Sequence, residues 1–259
     1  MLGHMIRLDR TAIVSCVAAA AALLGAALWE STYKPGSGVT QYLASFGVVL
    51  VGVAWGATSL SKEFESETNI WSWTQGVTRA RWFWSRISPA LLGAAAFGVL
   101  LTVIVEISDR RRPLLAGFDH MSDQYVATHG VFLPASALLA VSAGLLLSVV
   151  TRLIVPAIAL TLISQVVLLL VLPKAFLSLA SEDTSVLPAS ADPLEVYLTE
   201  GHVLDVSPLA DGGSLVTFLP NAQFGLVQGV GGAVMVAVSI AMLFAAVVGL
   251  QRMSARRPA

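Results

Sequence analysis

Few side chains in this sequence combine type and spacing in a way that supports chemistry. The four histidines, His4, His120, His129 and His202, are isolated, with no H-E-x-x-H pair and no Cys/His spacing suited to zinc. The single cysteine, Cys16, lies inside an apolar run and reads as a small core residue. No G-x-S-x-G nucleophile turn and no G-x-x-x-x-G-K-[ST] phosphate loop occurs. Catalytic, cofactor and metal residues are therefore all expected to be none. His120 and His129 with Asp119 and Asp123 would make a metal site only if one loop gathered them, and solvated loop residues are the simpler reading.

One stretch stands apart chemically: KEFESETNIWSWTQGVTRARWFWSRI, from Lys62 to Ile87. Glu63, Glu65 and Glu67 come first, Trp71 and Trp73 follow, and Arg79, Arg81 and Arg86 then interleave with Trp82 and Trp84, so that four of the six tryptophans fall here. Acid near a helix start and base near a helix end both suit the macrodipole, which predicts one or two interfacial helices lying along a membrane surface. An aromatic belt with basic anchors accounts for Trp82, Trp84 and Arg86. It leaves the acidic half unexplained, and a mixed-charge surface of that kind suits docking of a soluble partner.

The elements that must position this stretch are written in the hydropathy. The 259 residues are 56% hydrophobic and 12% charged, about half the charge of a soluble domain, with mean hydropathy +0.79. A net charge of −1 gives no basic face for nucleic acid. Backbone amides in lipid must be satisfied within each segment, so a crossing takes about 20 helical residues. Six runs free of Asp, Glu, Lys and Arg meet that length, approximately 11–29, 41–60, 88–105, 131–150, 153–172 and 229–250. The first is read as a span rather than a cleaved leader, because no small-x-small cleavage pattern follows it.

An all-α integral membrane fold with six transmembrane helices follows, forming one transmembrane domain over 1–259 with a segment 61–87 between spans two and three and a loop 173–228 between spans five and six. Placing both termini in the cytoplasm puts Arg7, Arg10, Lys62, Arg79, Arg81, Arg86, Arg152, Arg252, Arg256 and Arg257 inside. Only Lys34, Arg110, Arg111, Arg112 and Lys174 are then outside. The 173–228 loop is acidic and encodes one local helix, with Asp192 as cap, Pro193 in the first turn, Glu195 reaching back and Gly201 terminating. Small residues recur every four positions at Ser136, Ala140, Gly144 and Ser148, and again at Ala233, Ala237, Ala241, Ala245 and Gly249, which marks close helix interfaces within the subunit or between copies. Gln165 is expected to hydrogen-bond between helices. Because no ionisable group lies inside the spans, they hold none of the proton- or ion-pairing side chains of an ion-coupled transporter, and any uphill transport would have to draw its energy from elsewhere.

The order E-F-E-x-x-T in Glu63, Phe64, Glu65, Ser66, Glu67 and Thr68, followed by Trp73, Gln75, Val77, Arg79, Arg81 and Trp82, resembles the type-2 ABC export permeases, especially their six-span actinobacterial members. Two positions depart: Glu67 stands where that family usually has glycine, and Gly76 where it usually has serine. Arg152, Val155, Pro156 and Ala157 are similar to the start of the family's fifth span, and Pro220, Phe224 and Gln228 to the approach to its sixth. The resemblance implies a bacterial plasma-membrane permease subunit, with Glu63, Glu65, Thr68, Trp73, Gln75, Arg79 and Arg81 on a cytoplasmic coupling helix. It further implies two copies of a separate ABC ATPase subunit holding ATP and Mg, a second permease subunit, identical or paralogous, and outward movement of an amphipathic, antibiotic-like or lipid-like substrate. The alternative from another class is a membrane anchor or sensor that recruits a cytoplasmic protein without transport.

Overall fold

The computed structural model describes residues 10–33, 38–74, 76–110, 120–188, 190, 200–210 and 212–252. Helix α1 spans Arg10–Tyr33. The second long helix runs Val39–Glu65 in three parts: α2 (Val39–Val51), a π-helical stretch (Gly52–Ala57) and α3 (Thr58–Glu65). A short α4 (Thr68–Thr74) precedes α5 (Arg79–Arg110), and a short α6 (Asp123–Thr128) precedes α7 (Phe132–Thr151). Then come α8 (Ile154–Leu177), strands β1 (Asp183–Leu187), β2 (Gly201–Pro208) and β3 (Ser214–Pro220), and α9 (Phe224–Arg252).

Five of these helices are long and apolar enough to cross a membrane: Val39–Glu65, α5, α7, α8 and the helix ending at Arg252. In α1 the apolar stretch found among the described residues is shorter, Ala20–Glu30. The sequence expectation of long apolar helices is met, with ends that extend beyond the apolar runs. Helix α5 begins at Arg79 rather than near Ser88, because Thr78 caps it, its hydroxyl accepting from the Arg81 amide at 3.3 Å.

Helix α7 is the centre of the bundle, with 67% of its apolar window buried, whereas α8 at 17% lies on the outside. Val155, Ile163 and Leu170 of α8 are more than 60% exposed, an apolar face that a water-soluble surface would not present. The close contact at the centre is made by small residues, as their spacing predicts. A methyl group added at Gly144 of α7 would stand 2.7 Å from Ala57 N and 2.7 Å from Gly52 O, so only glycine lets α7 meet the π-helical stretch backbone to backbone. Ser148, one turn further along α7, donates to Ala57 O at 2.7 Å. The second stripe behaves differently: Ala233, Ala237, Ala241 and Ala245 of α9 are exposed, and the buried face of α9 carries Gly231, Met235, Ser239, Leu243 and Ala246 instead.

Of the expected 173–228 loop, 173–177 prolong α8 and 224–228 open α9, and the described residues between them carry a three-stranded antiparallel sheet in the order β1-β3-β2, with Val216 and Phe218 of the central strand buried. This strand structure was not anticipated. Gly201, expected to end a helix, opens β2 opposite Pro220, Glu200 before it is in a turn, and residues 192–199 of the expected helix lie outside the described residues.

Candidate functional site: the charged end of the bundle

The residues from Lys62 to Ile87 do not form a separate surface helix of their own. Lys62 to Glu65 finish α3, Arg79 to Ile87 begin α5, and the helix between the two is the seven-residue α4. The chain reverses after α3 through Glu67, at φ 55°, and turns again before α5 through Gly76, at φ 80°. The left-handed conformation at Glu67 gives a physical reason why glycine would serve there, since a side chain at positive φ crowds the backbone.

Three contacts tie this end together. The Arg86 guanidinium meets the Glu63 carboxylate at 2.8 Å, joining α5 to α3. Glu65 accepts from the Ile154 amide at 3.0 Å, so α3 caps the first turn of α8 with a carboxylate at the positive end of its dipole. Arg79 donates to the carbonyl of Leu250 at 3.0 Å, placing a cation on the last turn of α9.

Helix α4 rests on this frame through aromatic contacts. The Arg79 guanidinium lies 4.5 Å from the centre of the Trp73 ring. Trp73 meets Trp82 edge-on at 5.6 Å, and Phe64 meets Trp82 at 6.0 Å. Thr68 pairs with Ser66 through their hydroxyls at 3.1 Å, closing the turn at the head of α4. Arg81 is exposed, and Gln75 lies outside the described residues. Of the residues singled out by sequence, Glu63, Glu65, Thr68, Trp73 and Arg79 are thus gathered at one end, with Arg86 as a partner that sequence reasoning took for a simple membrane anchor. Asn69 and Arg152 also line the space at this end; nothing in its sequence context marks Asn69, and Arg152 is legible in the sequence only as a basic residue at the start of the fifth span.

At the opposite end lies a second polar cluster. Glu30, fully buried, accepts from the Thr40 amide at 2.8 Å and its hydroxyl at 2.6 Å, pinning α1 to α2. Asp109 contacts His129 at 2.7 Å and accepts from Gln41 at 3.4 Å. The His129 ring stacks on Tyr125 at 3.6 Å with 6° between planes, and His120 packs against the same Tyr125 at 4.7 Å. Burial first, and then the carboxylates of Glu106 and Asp109, push the Tyr125 phenol up to about 12. Asp123 faces Lys174 at 3.9 Å and Asp119 lies outside the described residues; among the described residues no three His, Cys, Asp or Glu side chains gather as metal ligands. Gln228 makes the interhelical bonds expected of a membrane amide, donating to Val126 O at 2.8 Å and accepting from Val131 N at 3.1 Å. The buried Gln165 was expected to do so, yet its amide nitrogen has no partner among the described residues.

A bundle of long apolar helices with lipid-facing sides, whose charged groups are gathered at its two ends, is a membrane-integral protein. The family described as ABC-2 membrane transporter related matches residues 2–176, more than half of the chain, and the chain belongs to that family. It is accordingly a membrane subunit of the transporter class, an ABC-2-type permease. The sheet and α9 lie beyond the matched residues. No curated protein and no solved structure matches the chain.

Proposed function

We propose that this chain is the membrane-spanning permease subunit of an ATP-binding-cassette exporter, driven by a separate ATPase that grips the end of the bundle around α4. In this reading α1 is a sixth span, the whole chain is one permease domain, and both termini face the cytoplasm of a bacterial plasma membrane. The working transporter holds two ATPase subunits, which carry the ATP and Mg, and a second permease subunit, identical or paralogous. The cargo is amphipathic, antibiotic-like or lipid-like.

The observation that carries the proposal is the frame beneath α4. Through Glu63–Arg86, Glu65–Ile154 and Arg79–Leu250, the short helix is mounted on elements that lead into four long helices. A push on α4 therefore reaches α3, α5, α8 and α9 together, which is what shifting a packed bundle between two arrangements requires. Glu63, Glu65, Thr68, Trp73, Gln75, Arg79 and Arg81 are the residues assigned to coupling. Arg81, exposed beside the frame, is free to meet the partner directly, whereas Glu63, Glu65 and Arg79 transmit the movement.

The test is whether the chain co-purifies with an ABC ATPase subunit, followed by substrate-stimulated ATP hydrolysis and export. Charge reversal at Arg79 and Arg81 is expected to leave the permease in the membrane and uncouple hydrolysis from export. Survival of both ATPase association and export in that double variant would refute the coupling role.

A further inference from the structure

Behind α4 lies a cleft of about 290 Å³ that none of the contacts above fills. Helix α4 lines it with Asn69, Ile70 and Trp73; Arg79 enters from the start of α5, and Arg152 from the link between α7 and α8. Phe64 and Glu67 close its side.

Two residues that line this cleft carry a buried polar atom without a partner among the described residues. Asn69 is 6% exposed, and its carboxamide oxygen accepts nothing. The indole N–H of Trp73 is buried and donates to nothing. A buried polar group left without a partner is costly, and two in one cleft mark a place where a ligand supplies the missing donor and acceptor. Arg79 spends one N–H on Leu250 and keeps further donors, since a guanidinium has five. Arg152 is held in the left-handed conformation at φ 58° at the end of α7 and brings a second guanidinium to the same space.

The chemistry of the occupant follows from that set. Two guanidiniums against the single carboxylate of Glu67 leave one positive charge, which a phosphodiester monoanion matches. Guanidinium forks and an indole N–H suit phosphate oxygens. The unpartnered oxygen of Asn69 and the Glu67 carboxylate both call for a donor, which a ligand bearing hydroxyls supplies. A choline headgroup has none and would bring its cation toward two arginines. The bundle sides are apolar and this end carries the tryptophan and arginine belt found at headgroup depth, so the nearest abundant source of phosphate is lipid.

We propose that the cleft between α4, Arg79 and Arg152 binds the headgroup of an anionic phosphoglycerol lipid, its phosphate on the two arginines and Trp73, its hydroxyl on Asn69. The lipid then becomes part of the support of α4, so that membrane composition sets how firmly this helix is held.

The experiment is mass spectrometry of the intact full-length chain in mild detergent, titrated separately with dioleoyl phosphatidylglycerol, phosphatidylethanolamine and phosphatidylcholine, with glycerol-1-phosphate as soluble competitor. Phosphatidylglycerol should be retained about tenfold over the other two, and glycerol-1-phosphate should compete only weakly. Asn69→Leu and Arg152→Gln should each reduce that retention about tenfold, the loss of one charge-assisted or buried hydrogen bond. Arg110→Gln, at the opposite end of α5, should leave it unchanged. Two separate variants keep the test decisive if one fails to fold. Equal retention of the three lipids, wild-type retention in both cleft variants, or displacement by glycerol-1-phosphate at lipid-like affinity would each overturn the proposal.

Discussion

Arg79 holds α4 and α9 at once, so its removal should be felt in both. Its bond to Leu250 O joins a half-buried charged donor to a carbonyl of a buried residue, for which about 1.5 kcal/mol is the lower end of the range for charged hydrogen bonds. Its position over Trp73 adds about 0.5 kcal/mol, the value for a partly exposed cation–π contact. The attraction to the α9 dipole acts through the same bond and is not counted again. Arg79→Ala should therefore favour local opening by about 2 kcal/mol, or about thirtyfold in the opening equilibrium. Amide exchange, read by mass spectrometry on the chain in lipid discs, should speed up by that factor in Thr68–Thr74 and in the last turn of α9, and far less in the centre of α7. Arg79→Lys keeps the charge but not the planar fork, and should recover about half of the effect. Unchanged exchange in both segments for Arg79→Ala would show that the contact carries no load and that α4 is held by something else.

Three further outcomes follow from the same geometry. Glu67→Gly relieves a left-handed side chain and should stabilise the α3–α4 turn by about 0.5–1 kcal/mol, read as slower exchange at Thr68–Thr74. Gly144→Val drives a side chain into backbone atoms 2.7 Å away, which cannot give, and should cost about 3 kcal/mol in thermal stability, whereas the same change at the open Gly229 should cost less than 1 kcal/mol. The Tyr125 phenol is raised in the folded protein, so the stability tied to its neutral form is fully present below pH 10, its unfolded value, and is lost as pH rises from there through about 12. Ultraviolet titration at the phenolate band should place one tyrosine near 12, and Tyr125→Phe should remove that step.

The long apolar helices could be read from the sequence because a lipid crossing demands an uninterrupted apolar run, and 131–150 agrees with α7 to within a residue at each end. Helix ends were less visible, since polar caps and belts prolong a helix after hydropathy stops: Arg79 to Ile87 belong to α5, and Phe224 to Gln228 to α9. The sheet escaped because its strands pair over long separations, Asp183 with Phe218 and Gly201 with Pro220, while the acidic composition between them suggested only a solvated loop with a local helix. At the charged end the residue types were legible and their partners were not. Glu63 meets Arg86 only because α3 and α5 lie side by side, and a buried Asn69 is indistinguishable in sequence from an exposed one. The pair Asp109 and His129 was hidden for the same reason, one belonging to the end of a long helix and the other to the turn before the next.

The π-helical stretch in the second long helix has a mechanical consequence. An α-helix turns about 100° for each residue, and a π-helical stretch holds a surplus residue against that cadence. Gly52–Ala57 thus act as a phase spacer: they set the angle at which everything after them leaves the bundle. Rewinding the stretch as α-helix with every residue kept would turn the surplus residue into roughly 100° of added rotation and swing Thr58–Glu65 about its axis. Glu63 would then point away from Arg86 and Glu65 away from Ile154, and the frame would come apart at two of its three joints without any of its own residues having been changed.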